Sequence, residues 1–235
     1  MHPANWLVHS LQEKGLLRTL KIVYNVVADF GFDWKHGTET TRWVKVDSFE
    51  TPSDNKAHAV HYQASRARPL LQLLQRLQLP KNGAFVDLGC GKGRVLLLAS
   101  DHGFKRVVGV DFCSQLCRQA RKNATLFQRK HPGAAAIEVV ESDAADHAFS
   151  GDETVFFLYN PFNEVVLART LKNIAQSVRE NPRAIWLIYN TPLHHQTILH
   201  DGQFGCHEHF EIGGTEFRVY SDFVPAPVEA AENVI

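Results

Sequence analysis

Residues Phe85–Val95 read F-V-D-L-G-C-G-K-G-R-V: an apolar run with one acid, then glycines at alternate positions, Gly89, Gly91 and Gly93. A strand that ends in a glycine turn and leads into a helix brings backbone N–H groups close to a ligand, because glycine has no Cβ in the way. The spacing narrows the choice of ligand. A dinucleotide fingerprint requires G-x-G-x-x-G, and Arg94 stands where its third glycine belongs. A phosphate-binding P-loop requires G-x-x-x-x-G-K-[ST], which does not follow Gly89.

Around this turn, strand and helix signals alternate. Ala84–Leu88 reads as a strand, Arg94–His102 as a helix closed by Gly103, and Arg106–Val110 as the next strand. Ser114 is the expected N-cap of a helix with apolar positions Leu116, Ala120, Ala124 and Phe127. Ala136–Val140 is a third strand and Thr154–Tyr159 a fourth, nearly all apolar as a strand covered on both faces should be. Asn163 is placed to cap a helix whose positions Leu167, Leu171, Ile174 and Val178 keep helical steps up to Asn181-Pro182. Ala184–Tyr189 is a fifth strand, and Phe204–Ile212 and Glu216–Val224 flank Gly213-Gly214 as a hairpin.

Before the turn, Leu7, Leu11, Leu16, Leu20, Val23 and Val27 predict one or two amphipathic helices over residues 5–30. Residues 31–55 read as irregular, and helical periodicity returns from His61 to Leu79 and stops at Pro80. The expected fold is α/β: a doubly wound, seven-stranded, mostly parallel sheet with a C-terminal antiparallel hairpin and an N-terminal helical extension. Residues 1–80 form that extension and a candidate lid, 81–224 the ligand-binding domain, and 225–235 a loose tail.

Bulk properties exclude some functions. Twenty-five basic and 25 acidic residues cancel over 235 residues, which argues against a protein gripping long nucleic acid mainly through phosphates. Cys90, Cys113, Cys117 and Cys206 show no C-x-x-C spacing and suggest reduced thiols. No signal-peptide pattern and no long apolar span is present, so a cytoplasmic location is expected. The 13 histidines show no zinc-ligand spacing, and no metal is expected.

The D-L-G-C-G-x-G turn resembles the first motif of the class I S-adenosylmethionine (SAM) methyltransferases, and other positions follow at family spacing. Together with the strand end Tyr159-Asn160-Pro161-Phe162, it is similar to a group of bacterial proteins carrying D-L-G-C-G-K-G-R and Y-N-P-F. The resemblance implies SAM as cofactor, held in part by Gly89, Cys90, Gly91 and Gly93. It implies that Asp111, at the end of strand two, takes the ribose hydroxyls and that Phe112 lies against the adenine; an acidic helix cap beside Ser114 and plain packing of Phe112 are the alternatives. Asp143 and Ala144 match the acid and backbone N–H that meet the adenine edge, although Asp143 also suits a turn. Asp87 matches the acid that orients the methionine ammonium, or else bonds loop N–H groups. Lys92 and Arg94 either reach the methionine carboxylate or start a solvated helix.

At the end of strand four, Asn160-Pro161-Phe162 resembles the N-P-P-[YF] motif of amino methyltransferases, with one proline missing. The resemblance implies that Asn160, which also borders the cofactor, and the Pro161 carbonyl accept hydrogen bonds from an amine, while Phe162 or Tyr159 stacks on it. Tyr189-Asn190 repeats a similar phrase at the end of strand five. The segment 55–86 has no acid and several cations, and Tyr62 is its best lid candidate. These residues imply a SAM-dependent methyltransferase acting on nitrogen of a protein or small molecule. A nucleic-acid amino methyltransferase and a non-catalytic SAM-binding subunit are the alternatives.

Overall fold

The computed structural model describes residues 16–51 and 53–224. Seven strands, β1 (Ala84–Leu88), β2 (Arg106–Asp111), β3 (Ala136–Glu141), β4 (Glu153–Leu158), β5 (Trp186–Asn190), β6 (Phe204–Ile212) and β7 (Thr215–Phe223), form one sheet. Their order is β3-β2-β1-β4-β5-β7-β6. β1 to β5 run parallel, and β7 is antiparallel to both β5 and β6. Gly213 and Gly214 both take positive φ, 59° and 74°, and so make the tight turn between β6 and β7.

Six helices are described: α1 (Leu16–His36), α2 (Ala67–Arg76), α3 (Arg94–Asp101), α4 (Ser114–Lys130), α5 (Glu164–Glu180) and α6 (His195–Asp201). Every residue of β1 is buried, as expected of a central strand with helices on both faces. On one face, Leu167, Leu171, Ile174 and Val178 of α5 pack with Val86, Phe156 and Leu187. On the other, Leu70, Leu73 and Leu74 of α2 and Leu96 of α3 pack with Phe85, Phe157 and Ile188. The strongest helix-start signal behaves as expected: Asn163 Oδ1 accepts from the N–H groups of Val165 and Val166.

Three local expectations are corrected. α1 does not stop near residue 30 but continues to His36, where Gly37 at φ 72° ends it and Thr38 N–H reaches back to the Asp33 carbonyl at 3.0 Å. The helix expected from His61 begins at Ala67. Pro69 then sits in the first turn, where no N–H is needed; in an earlier-starting helix its ring would meet the carbonyl four residues back. Ser114 is not the N-cap of α4. That position belongs to Cys113, while Ser114 N–H donates to the Glu50 carbonyl at 2.9 Å and the Ser114 hydroxyl bonds Glu141.

Residues 38–51 and 53–65 lie across the carboxyl ends of the parallel strands as a strap. Tyr62 pairs with Val44, and Ala59 pairs with Phe162 just beyond β4. The positions Leu7 and Leu11 and the expected tail over residues 225–235 lie outside the described residues. No described helix is long and apolar enough to cross a membrane.

Candidate cofactor and acceptor site

A cavity of about 350 Å³ opens where β1, β2 and β4 end and the strap crosses them. Open α/β sheets bind ligands at this edge. Asp87, Gly89, Cys90, Asp111, Phe112, Asp143, Ala144, Tyr159, Asn160, Pro161 and Phe162 all line it. The sequence-expected residues are thus brought together, with Gly91 and Gly93 in the turn beside them.

The turn is held by its own backbone and by Asp111. The N–H groups of Gly89 and Cys90 donate to the Val110 carbonyl at 2.8 and 3.1 Å. Gly91 N–H donates to Asp111 Oδ2 at 2.8 Å, and Cys113 N–H to Asp111 Oδ1 at 2.9 Å. One lone-pair direction remains on each oxygen. Burial pushes the Asp111 carboxyl up to about 6, against the pull of those two N–H groups. Asp87 is also buried, and burial together with the nearby Asp111 charge raises it well above the ordinary carboxylate range. No loop N–H bonds it: among the described residues its carboxylate has no hydrogen-bond donor, so the turn-stabilising alternative is unsupported. The Cys90 thiol is pushed up by burial and packs inside the turn, remote from nucleophilic character.

Two glycines admit close neighbours that a side chain would exclude. A Cβ on Gly89 would lie 2.3 Å from Pro161 Cβ, so the turn touches the end of β4. A Cβ on Gly91 would lie 2.1 Å from Tyr62 Cε2, so the Tyr62 ring rests directly on the turn. Tyr62 O–H also donates to the Thr40 carbonyl at 2.7 Å, and Lys92 Nζ sits 5.6 Å from the ring centroid.

Lys92 and Arg94 are not solvated, and both charges are paired within the protein, although Arg94 also borders the cavity. Lys92 pairs with Glu39. Arg94, 2% exposed, pairs with Asp29 at 2.8 Å and donates to Thr40 Oγ1 at 2.7 Å and Thr41 Oγ1 at 2.5 Å. Burial outweighs the Arg94 charge and raises Asp29, whereas the hydrogen bonds from Thr38, Thr40 and Thr41 outweigh burial and lower Asp33. The arginine expected at a helix start thus joins α1 and the strap to the glycine turn. Sequence reading missed its partners, because residues 29–41 carried no signal beyond being rich in Thr and Asp.

Around Asp143 the strap supplies further unanticipated contacts. Ser53 Oγ and Asn55 Nδ2 donate to Asp143 Oδ2 at 2.7 and 2.8 Å, and Ala145 N–H donates to Oδ1 at 2.9 Å. Phe112 meets Phe49 edge-on at 6.0 Å and keeps a side on the cavity.

The acceptor end differs in part from expectation. Asn160 has φ 43°, and its Oδ1 accepts from Tyr189 O–H at 2.9 Å; this bond ties the two Tyr-Asn strand ends together, while only Tyr159 and Asn160 line the cavity. The Pro161 carbonyl accepts from Val60 N–H at 3.3 Å as the strap pairs alongside it, which leaves it one lone pair. Phe162 is 8% exposed: it packs into the core and also borders the cavity. Tyr159 also stands on the cavity wall, its hydroxyl pushed up by burial. None of Lys56, Arg66, Arg68, Arg76 and Lys81 lines the cavity, so the strap is not the basic lid its composition suggested.

Cys113 and Cys117 are buried at the start of α4. Among the described residues, no group of His, Cys, Asp or Glu is arranged to hold a metal.

A parallel sheet in this order with an antiparallel seventh strand inserted before the sixth, a glycine turn after β1 and an acid ending β2 define the class I methyltransferase fold. Residues 85–181 match the family model described as a methyltransferase domain, and the cofactor of that domain is SAM. The chain is 39% identical over 69 residues, 29% of its length, to a trans-aconitate 2-methyltransferase of Variovorax paradoxus (strain S110), and that match spans 27% of the relative's length. Among solved structures it is similar to a protein of the NADB-Rossmann superfamily from Streptococcus agalactiae, at 12% identity, 72% of each chain and a TM-score of 0.50. It is also similar to an RNA methyltransferase from Salinibacter ruber in complex with S-adenosylhomocysteine, at 19% identity, 69% of this chain, 97% of that chain and a TM-score of 0.48.

Proposed function

We propose that the protein transfers the methyl group of SAM to a nitrogen atom of a small-molecule or protein acceptor. The residues fit the cofactor. Asp87, a buried acid without a donor, would hold the methionine ammonium. Asp111 would take the ribose hydroxyls on its two remaining lone pairs, and Asp143 with the Ala144 N–H would meet the adenine edge. Bound SAM supplies an electrophilic methyl on a sulfonium centre, so the protein's work is alignment and exclusion of water.

The observation that carries the acceptor reading is Asn160, whose carboxamide oxygen is anchored by Tyr189 beside the glycine turn. That oxygen keeps a second lone pair toward the cavity. A planar amine has a delocalised lone pair; a fixed acceptor on its N–H helps turn that pair toward an electrophile. Tyr159 would give the flat wall. A strap with no excess of basic residues and zero net charge favour a small molecule or protein over nucleic acid, and the curated relative is named for a small-molecule acceptor.

The test has two parts. Calorimetry of SAM and S-adenosylhomocysteine with the intact chain, beside Asp111→Ala, should show micromolar binding that the substitution abolishes. Transfer from methyl-labelled SAM to fractionated small-molecule, protein and nucleic-acid pools should then label a product that survives mild alkali. Label released as methanol would identify a carboxylate ester and overturn the nitrogen assignment. Asn160→Ala should lose turnover and keep SAM binding; a non-catalytic subunit would show no turnover to lose.

A further inference from the structure

Asp143 is held by residues about 90 positions away, and the way it is held limits what it can still bind. Ser53 Oγ and Asn55 Nδ2 fill Oδ2, and Ala145 N–H takes one direction on Oδ1. A carboxylate offers about four acceptor directions, so one remains, on Oδ1. The adjacent Ala144 N–H has no hydrogen-bond partner among the described residues. Ser53 is itself fixed: its Oγ accepts from Asn55 N–H at 3.1 Å and starts the short helical turn Asp54–His58. Asn55 also lines the cavity.

One acceptor beside one donor complements a 6-aminopurine, which presents an amino donor at position 6 and an acceptor at N1. A 6-oxopurine presents the reverse pair. Without its strap partners, the Asp143 carboxylate would turn over a broad range about its terminal torsion and spread its acceptors over many directions.

We propose that Ser53 and Asn55 are positioning residues that orient Asp143 and thereby set the site's selectivity for a 6-aminopurine cofactor over its 6-oxopurine counterpart. The inference rests on the cofactor site proposed above. It makes base selection depend on the closed strap, since the residues that orient the acid also fasten the strap.

The test is calorimetric binding of S-adenosylhomocysteine and S-inosylhomocysteine to the full chain, to Ser53→Ala, to Asn55→Ala and to the double variant. The intact chain should prefer the adenosyl compound by on the order of 30-fold, the value of a hydrogen bond to a charged group. The double variant should bring that ratio to within about threefold, the single variants should fall between, and Ser53→Thr, which keeps the hydroxyl, should restore it. Equal weakening toward both compounds with an unchanged ratio would mean that the strap merely covers the site, and would overturn the proposal. Should the double variant fail to fold, Asn55→Ala alone decides, because its ratio must drop. An intact chain that binds both compounds equally would overturn the base-reading role while leaving the cofactor assignment standing. An intact chain that binds neither would overturn both.

Discussion

Replacing Gly91 with alanine separates two reasons for a glycine in this turn. The residue sits at φ 53°, and an alanine in that left-handed region is destabilised by about 1–2 kcal/mol. The new methyl would also lie 2.1 and 2.3 Å from Tyr62 Cε2 and Cδ2. Carbon–carbon contacts settle near about 3.5–4.0 Å, so the ring must move by more than an ångström. The move breaks the 2.7 Å hydrogen bond from Tyr62 to the Thr40 carbonyl, at about 1 kcal/mol. It also removes the ring from Lys92, worth about 0.5–1 kcal/mol. Gly91→Ala should therefore destabilise the chain by about 3 kcal/mol, and by about 1–2 kcal/mol when Tyr62 is already alanine. Urea denaturation of the two single variants and the double variant gives the coupling energy, expected near 1–2 kcal/mol. Strictly additive losses would refute the reasoning, because the strain term alone would then account for Gly91.

Asp111, raised to about 6 by burial, should make cofactor affinity pH-dependent. Ribose hydroxyls need its ionised form, so the affinity for S-adenosylhomocysteine should fall roughly tenfold between pH 7 and pH 5 and release a proton at low pH, a dependence absent from Asp111→Asn. In the free chain the sign is opposite: a carboxyl whose folded value lies above its unfolded one contributes most to stability at low pH, and that contribution declines as pH rises through about 6. Arg94→Met should cost about 3–5 kcal/mol in denaturant unfolding, because it leaves the partly buried Asp29 without its cation, and Arg94→Lys should recover only part of it. Asn160→Asp should retain SAM binding in calorimetry while changing turnover, since Tyr189 can still donate to the new side chain but the neutral carboxamide is lost.

What could be read early depended on neighbours along the chain. The helical spacing of α5, its Asn163 cap, the Gly213-Gly214 turn and the glycine turn after β1 are all settled by a few adjacent residues, and each appears where the pattern placed it. The errors share a cause. Periodicity from His61 ignored where Pro69 would fall in the helix, and the mixed composition after Gly31 hid the continuation of α1 to the cap at Gly37.

The amino-acid sequence by itself determined the sheet, the cofactor class and the acids that face the cavity, because glycine spacing, strand ends and apolar period act over a single turn or strand. Only the tertiary structure decided how those acids are used. Arg94 meets Thr40 across 54 residues, Asn55 meets Asp143 across 88, and Ser53 meets it across 90. The strap that makes these contacts has no regular period, and its polar side chains find partners on strand ends that adjoin it only after the sheet has formed. Hydrogen bonds of that kind depend on distance in space rather than on spacing in the chain.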